Sequence, residues 1–229
     1  SIYAAYYRKQ KPQKILKKSN YENDLFANIY EIETNDEKAE KVANAIRKKI
    51  SYKTFKNIYY AYLSEEKNIE TIIYHYIYKG FIEGKKINKN WSDENVVHIK
   101  SISRKVKRER HKILGLLRFR KIKGGILYAP FTPDYNIVAI IAPHFASRLS
   151  NESWVIHDKK RDTAVIYNKN EWLMIDGEEL PEPKYSQDER YYQSLWQEFF
   201  NSVSIENREN LKLQSQFMPK KYWKYLIEK

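Results

Sequence analysis

The first half of the chain has the hydrophobic pattern of α-helices. Apolar side chains recur every three or four positions, so they fall on one side of a helix with 3.6 residues per turn. This spacing predicts four helices, over residues 2–8, 36–50, 51–63 and 69–83. Alternation of polar and apolar residues at 25–33 predicts a strand in the same half. We interpret residues 1–100 as a mostly helical scaffold.

The middle of the chain changes to a period of two residues. Segments at 116–122 and 126–131 flank a pair of glycines that is typical of a β-hairpin turn. Three more strands are predicted, at 154–158, 163–167 and 171–175. Apolar residues repeat every four positions over 137–149 and predict a helix, which Pro143 would kink or delay. This order predicts an antiparallel sheet with a helix across it.

The last part of the chain returns to helical patterning. An acidic, proline-containing segment at 176–190 is interpreted as a surface linker, and residues 189–203 carry apolar side chains at helical spacing. Pro219 can open a final short helix. The sequence therefore predicts an α+β fold with a helical N-terminal half, a central antiparallel sheet crossed by a helix, and C-terminal helices. Within one integrated domain, these parts are 1–100, 101–176 and 177–229.

Composition narrows the class of protein. The 229 residues contain no apolar run of membrane-spanning length and no secretory signal pattern, so we expect a cytoplasmic protein with no membrane contact. The absence of cysteine excludes disulfides, thiolate zinc sites and an iron–sulfur cluster held by this chain, and no cofactor is predicted. Because the chain begins without methionine, we expect a short segment upstream.

The formal net charge of +13 indicates an anionic partner, for which nucleic acid is the first candidate. Codon bias is the alternative, because an A/T-rich genome also encodes chains rich in Lys, Asn, Ile, Tyr and Phe. Tyrosine-rich helix faces could stack on bases, although aromatic residues at helical spacing are typical of a core. The concentration of arginine between Arg104 and Arg120 favours binding.

A basic helix leads into the hairpin. Residues 104–123 contain ten basic side chains and a single acid, Glu109. Apolar positions form one stripe of this helix, and opposite them lie Arg104, Lys107, Arg108 and His111. Glu109 falls at the edge of the apolar stripe, where an ionised carboxylate needs a partner. We predict that Glu109 is structural, buried and paired with Arg118.

The predicted nucleic-acid contacts combine the basic helix with arginines of the sheet region. They are Arg104, Lys107, Arg108, His111, Arg118, Arg120, Arg148 and Arg161. His144 and Arg148 lie one helical turn apart and could grip a phosphate together, or could be structural. The sequence lacks the H-x-H and H-E-x-x-H spacings, so no metal site is predicted.

Catalytic residues can be named only as a set of candidates. They are His111, His144, His157 and Asp158. The last two point to opposite faces of one strand, so they cannot pair by adjacency. Convergence of the three histidines would indicate an enzyme, and dispersal a binding module. The expected location is a concave site between the 116–131 hairpin, the following helix and the strand at 154–161, where Trp154 or Phe119 could stack on a base or belong to the core.

Four segments carry a family resemblance. They are KVKRERHKILGLLRF, APHFASRL, WVIHDKKR and IENRENLKLQSQFMPKKYWKYL. Together they are similar to a sequence-defined bacterial family that is associated with DNA repair or DNA metabolism, and the similarity extends over essentially the whole chain. Members of that family usually begin slightly upstream. Many are encoded beside a radical SAM protein with a helix-hairpin-helix DNA-binding region, and related domains are fused to uracil-DNA-glycosylase-like proteins.

The resemblance implies a role in DNA repair or DNA metabolism beside a radical SAM partner. The positions that match the family pattern are Val106, Glu109, His111, Gly115, Arg118, Phe119, His144, Phe145, Arg148, Trp154, His157, Asp158, Arg161, Arg208, Asn210, Pro219 and Trp223. Among them, Trp154, Pro219 and Trp223 are expected to be structural.

Three function classes follow from the sequence. The first is a DNA-binding protein that acts with a radical SAM partner. The second is a nucleic-acid-processing enzyme, either a nuclease or a glycosylase-like protein, that uses histidine and acidic residues. The third is a protein-interaction adaptor whose basic face binds an acidic partner. The sequence contains no P-loop, no glycine-rich dinucleotide motif and no nucleophile elbow.

Overall fold

The computed structural model describes residues 1–8, 11–21, 27–203 and 210–228. The chain forms two compact units, an N-terminal unit, Ser1–Lys107, and a C-terminal unit, Arg108–Lys229. Arg208, one of the family-pattern positions, lies outside the described residues. None of the described helices is long and apolar enough to cross a membrane.

The N-terminal unit is helical. Its helices are α1 (Ile2–Tyr7), α2 (Asp36–Ala45), α3 (Tyr52–Tyr62), α4 (Ile69–Glu83) and the start of α5 (Glu94–Leu116). A π-helical turn, Ile46–Ile50, extends α2, so the four predicted helices are confirmed. Side chains cap two of them, because the Asn35 amide oxygen accepts a hydrogen bond from the Lys38 N–H and the Ser51 hydroxyl accepts one from the Thr54 N–H.

The strand predicted at 25–33 is wrong for the residues that can be compared. Residues 27–33 form no strand, and positions 25 and 26 lie outside the described residues. Ile29, Tyr30 and Ile32 are exposed. A strand needs a hydrogen-bonded neighbour, and the described part of this unit consists of helices, turns and irregular segments.

Isoleucines dominate the core of the N-terminal unit. Ile50, Ile77 and Ile99 are fully buried, and the ring of Tyr76 is buried with them. A Cβ atom added to Gly80 would lie 2.6 Å from Cδ1 of Ile50. Glycine therefore allows α4 to approach the turn after α2 closely.

The C-terminal unit contains a sheet of five strands. They are β1 (Arg120–Lys121), β2 (Leu127–Phe131), β3 (Trp154–Asp158), β4 (Thr163–Tyr167) and β5 (Trp172–Asp176), and they lie in sequence order across the sheet. Helix α6 (Val138–Arg148) connects β2 to β3. Pro143 lies within α6 without ending it. The predicted α+β class is confirmed.

The sheet is mixed rather than purely antiparallel. Three neighbouring pairs are antiparallel, but β2 and β3 are parallel, with Leu127 opposite Trp154 and Phe131 opposite Asp158. The helix between β2 and β3 returns the chain to the starting edge, which is the connection that parallel strands require. The first strand is also shorter than predicted, because α5 continues through Leu116.

The hairpin prediction is confirmed by the pairing of β1 with β2. Gly124 and Gly125 connect the strands with φ values of 89° and 81°. Both values lie in the left-handed region, which glycine adopts without a steric penalty. The Ile122 N–H donates to the Ile126 carbonyl and closes a three-residue loop, 123–125.

Trp154 and Phe119, the two aromatic residues that could stack on a base or belong to the core, pack within the core of the sheet. Trp154 is fully buried and stacks on Tyr167, with ring centroids 5.1 Å apart. Phe119 contacts the rings of Phe145 and Trp154 edge-on. Trp154 therefore belongs to the core and is not available to stack on a base.

Helices follow the sheet. Helix α7 (Gln187–Val203) confirms the prediction for 189–203, whereas α8 (Leu211–Phe217) is an additional helix that the sequence pattern did not predict. After Pro219 a 3₁₀ helix, Lys220–Tyr225, brings the end of the chain beside β2, where Tyr222 is buried.

Candidate nucleic-acid interface

Two helices of the N-terminal unit together form a surface rich in positive charge, which we call the cationic surface. It consists of Lys53 and Lys56 of α3 and Lys100, Arg104 and Lys107 of α5. The three α5 residues follow a spacing of four and then three positions, which places them on one side of the helix. Among the residues that the structure describes, no acidic side chain forms an ion pair with any of the five.

A buried asparagine fixes α3 against α5 beneath this surface. The Asn57 amide oxygen accepts hydrogen bonds from the Ser103 hydroxyl at 3.3 Å and from the Lys107 ammonium at 2.8 Å. Asn57 and Ser103 are both buried. The position of the Lys107 ammonium group is therefore set by the packing of the two helices.

The lysines of this surface affect one another. Burial, followed by repulsion from Lys53, lowers the pKa of Lys100 below the ordinary 10.5. Burial, followed by repulsion from Lys53 and Lys56, lowers the pKa of Lys107 in the same way. Both shifts reflect positive charges that are held close together with incomplete hydration. An anionic group in contact with this surface would relieve that repulsion.

Aromatic rings lie among these cations. The ammonium groups of Lys56, Lys100 and Lys107 lie 4.9, 3.6 and 4.9 Å from the ring centroids of Tyr52, Trp91 and Tyr60. Tyr52 and Trp91 are 59% and 62% exposed. Trp91 also borders a shallow groove of about 360 Å³ that includes Ser92, His98 and Ser101. Exposed rings beside lysines can stack on bases while the lysines contact phosphates.

Sequence reasoning identified Arg104 and Lys107 of this surface and missed Lys53, Lys56 and Lys100. A signal for the α3 residues was present, since Lys53, Lys56 and Tyr60 are spaced three and four positions apart on a predicted helix. The sequence could not show that this side of α3 lies next to α5.

The other predicted nucleic-acid contacts lie in the C-terminal unit and differ in their surroundings. Arg108, His111 and Arg148 are exposed, Arg120 is half-buried, and Arg118 and Arg161 bind carboxylates. Arg118 donates to both carboxylate oxygens of Glu228, with the shorter contact at 2.6 Å. Burial opposes ionisation of Glu228, but the hydrogen bonds and charge of Arg118 outweigh it and lower the pKa of this carboxyl.

Asp158 and Arg161 form a buried ion pair. Asp158 is fully buried, and its Oδ2 accepts a hydrogen bond from the Arg161 guanidinium at 2.9 Å. Arg161 also donates to the backbone carbonyl of Asp134 at 2.9 Å. These bonds use the guanidinium inside the protein, so Arg161 connects the end of β3 to the loop before α6.

Glu109 is buried as predicted, but its predicted pairing with Arg118 is wrong. Oε1 of Glu109 accepts hydrogen bonds from the Lys221 ammonium, the Tyr222 hydroxyl and the Asp134 N–H, and Oε2 accepts one from the Tyr135 N–H. The carboxylate therefore joins α5 to the loop before α6 and to the C-terminal 3₁₀ helix.

The environment of Glu109 also affects Tyr222. Burial, followed by the hydrogen bond to Glu109, raises the pKa of Tyr222 far above its ordinary value. Arg118 does not pair with Glu109, because Arg118 follows the end of α5 and binds Glu228.

His157 lies between two polar partners. Its Nδ1 is 2.9 Å from the Tyr128 hydroxyl, and its Nε2 is 2.7 Å from Oδ1 of Asp162. An ionised carboxylate can only accept, so we assign the proton to Nε2, and Nδ1 then accepts from the tyrosine. Burial, followed by nearby tyrosines and Asp162, raises the pKa of Tyr128 to about 12.

A glycine and an unusual backbone conformation make this arrangement possible. Asp162 has a φ of 47°, in the left-handed region that aspartate tolerates better than most residues. A Cβ atom on Gly177 would lie 2.4 Å from Oδ1 of Asp162 and 2.6 Å from Nε2 of His157. Any larger residue at position 177 would displace the His157–Asp162 hydrogen bond.

The three candidate histidines occupy separate surroundings. His111 is exposed on α5, and His144 is half-buried on α6, with its ring edge-on to Phe145. Both ring nitrogens of His157 have partners other than these histidines. Within the described residues, no three His, Asp or Glu side chains are placed to hold a metal ion together. None of these contacts brings two of the three histidines together.

Comparison with known proteins gives one match. No curated protein and no solved structure is significantly similar to the chain. The model of a domain of unknown function, DUF4130, matches residues 67–228, which is more than half of the chain. The match covers the sheet, the Glu109 and His157 networks and the α5 part of the cationic surface. The chain belongs to the DUF4130 family.

Proposed function

We propose that the protein binds nucleic acid through the cationic surface of α3 and α5. The observation that carries this proposal is the set of five clustered cations without acidic partners among the described residues. The lowered pKa values of Lys100 and Lys107 support it, because a phosphate would stabilise their charged forms. The exposed rings of Tyr52 and Trp91 add surfaces on which unpaired bases can stack.

The salt dependence of binding tests this proposal. If all five cations contact phosphates, log K should fall against log salt with a slope of about −4 to −5 on duplex DNA. Replacing Lys53, Lys100 and Arg104 with glutamine should reduce the magnitude of that slope by about 3. Fluorescence anisotropy with labelled duplex and single-stranded oligonucleotides measures both quantities.

A matched control separates site binding from general charge. Lys41, Lys48 and Lys49 are exposed lysines of the same unit outside the cationic surface, and their glutamine variants remove the same charge. The proposal requires the control protein to bind like the parent, and equal loss in the two triple variants would refute it. If the protein binds polyglutamate as tightly as it binds DNA, the adaptor hypothesis is supported instead.

The partnership with a radical SAM protein, which the resemblance implies, is tested by repeating the DNA titration in its presence. The expected result is a higher affinity for DNA.

An enzyme acting on nucleic acid is the second candidate, and the Tyr128–His157–Asp162 chain of hydrogen bonds favours it. A hydroxyl, a base that can take its proton, and a carboxylate that orients the base form the usual arrangement for activating a nucleophile. The high pKa of Tyr128 means that such a base would be needed near neutral pH.

Product formation from labelled DNA tests the enzyme hypothesis. If the protein is such an enzyme, the parent should cleave single-stranded, duplex or uracil-containing DNA. Tyr128→Phe should then lower the rate about 100-fold, the scale of a lost acid–base contribution. His75→Gln, which changes a histidine of α4 that belongs to no candidate site, should retain the rate. Absence of product with the parent, or full activity of Tyr128→Phe, would exclude this role.

A further inference from the structure

A cavity of about 660 Å³ lies in the C-terminal unit between β1 and the start of α7. Arg120, Tyr185, Ser186 and Arg190 contribute to its wall. Its volume is within the usual range for small-molecule sites. The cavity shares no residue with the cationic surface or the His157 network.

Backbone hydrogen bonds hold the two sides of the cavity together. The Ser186 N–H donates to the carbonyl of Lys121, and the Lys123 N–H donates to the carbonyl of Lys184. Tyr185 forms a bridge with Ile122. The segment before α7 therefore runs along β1 and places its side chains next to Arg120.

Two polar atoms in the cavity wall are buried without partners. They are Nε of Arg120 and the hydroxyl oxygen of Ser186. The Arg120 guanidinium donates to the carbonyl of Tyr225 at 3.1 Å, and no described carboxylate forms an ion pair with it. Arg118 and Arg161 in the same unit both bind carboxylates, so Arg120 differs from these two arginines. Unpaired buried polar groups are costly and point to a missing partner.

The acid in the cavity wall already has partners. Glu189 is buried, and its carboxylate accepts hydrogen bonds from the Lys121 N–H and from the Gln193 amide, both at 2.7 Å. Arg190 is exposed one position further along α7 and adds a second cation. The wall thus keeps positive charge and unused donors for an external anion.

We infer that this cavity binds a phosphate monoester, the group carried by a mononucleotide or by a 5′-phosphorylated nucleic-acid end. A phosphate offers three oxygens to Arg120, Ser186 and Arg190, whereas a carboxylate offers two. The cavity is too large for phosphate alone. The 39% exposed ring of Tyr185, whose centroid lies 5.8 Å from the Arg120 guanidinium carbon, provides a flat surface for a base.

Calorimetric titration of the full chain tests this inference. Adenosine monophosphate should bind about tenfold more tightly than adenosine, the difference that one charge-assisted contact supplies. It should also bind more tightly than inorganic phosphate, which has no base to stack on Tyr185. A 5′-phosphorylated oligonucleotide should likewise bind more tightly than its 5′-hydroxyl counterpart if the ligand is a strand end. The two arms distinguish a free nucleotide from a nucleic-acid terminus.

Variants connect binding to the cavity. Arg120→Gln should weaken binding about tenfold and Ser186→Ala several-fold, because each removes one donor. Lys159→Gln, at an exposed lysine of the same unit outside the cavity, should bind like the parent. If circular dichroism shows that Arg120→Gln is unfolded, Ser186→Ala decides the result. No binding in either arm, or parental affinity in both cavity variants, would overturn the inference.

These measurements are independent of the proposed cationic surface. Mononucleotide affinity and the preference for a 5′-phosphate should persist in the Lys53, Lys100 and Arg104 glutamine variant. Failure of one proposal therefore leaves the other testable.

Discussion

At the scale of single residues, most buried charges of the C-terminal unit have an identifiable partner. Glu109 binds Lys221, Asp158 binds Arg161, and Glu228 binds Arg118. A buried carboxylate without such a partner would destabilise the fold by several kcal/mol. Removing the carboxylate of one of these pairs should therefore affect stability more than binding.

Glu109→Gln should destabilise the protein by about 2 to 4 kcal/mol. Glutamine has one acceptor oxygen where Glu109 has two, and its NH₂ group would face another donor, the N–H of Tyr135 or of Asp134. Lys221, with 36% of its side chain exposed, keeps some hydration and a second partner in Asp134, which limits the loss. Urea unfolding measures the change. Glu152→Gln, at an exposed position, is the control, and a Glu109→Gln protein within about 0.5 kcal/mol of the parent would contradict a structural role.

At the scale of elements, the cationic surface exists because two helices are adjacent. Helix α5 contributes three cations on one side, and α3 contributes two more together with two tyrosine rings. Asn57 joins the helices where Ser103 and Lys107 meet it. Burial is the main cause that lowers the pKa of Lys100 and Lys107, and the repulsion that adds to it comes from lysines of α3.

Nucleic-acid affinity should therefore depend on pH in the alkaline range. In the protein without bound nucleic acid, Lys100 and Lys107 have a pKa below 10.5. Phosphates favour the protonated form of lysine, so binding should raise the pKa of both. Affinity should fall as pH rises through the pKa of the free protein, beginning at a lower pH than ordinary lysines would cause. Titration with a deoxyadenosine oligonucleotide at constant ionic strength measures this fall.

Arginine variants provide the control for this pH dependence. Arginine stays protonated throughout the range, so Lys100→Arg with Lys107→Arg should flatten the fall in affinity. An identical pH profile in the parent and the double variant would show that these two lysines do not contact the nucleic acid.

At the scale of the whole molecule, the family match and the proposed binding surface overlap only in part. The matched region begins at residue 67, so it includes α4 and α5 and leaves out α3. Lys100, Arg104 and Lys107 lie inside the matched region, whereas Lys53 and Lys56 lie outside it. The proposed surface therefore combines a part that belongs to the family domain with a helix that precedes it.

The sequence by itself determined most of the helices and strands of this protein. Periods of 3.6 and 2 residues, capping residues and the Gly124-Gly125 pair are local features, so they predicted the helices, the hairpin and the α+β class before any contact was known. The helical pattern also predicted the burial of Glu109, because an acid at the edge of an apolar helical stripe faces the core. The strand predicted at 25–33 failed for the described residues because alternation alone cannot supply a neighbouring strand.

Only the tertiary structure decided which residues meet. Lys221 is 112 positions from Glu109, and no local pattern shows that the chain end returns to α5. Packing between distant segments also decides three other features. They are the parallel pairing of β2 with β3, the proximity of Lys53 to Lys100, and the position of Arg120 beside Ser186 in the cavity wall. Hydrophobic burial selects these packings without regard to sequence separation, which is why the partners of charged residues could not be read from the chain.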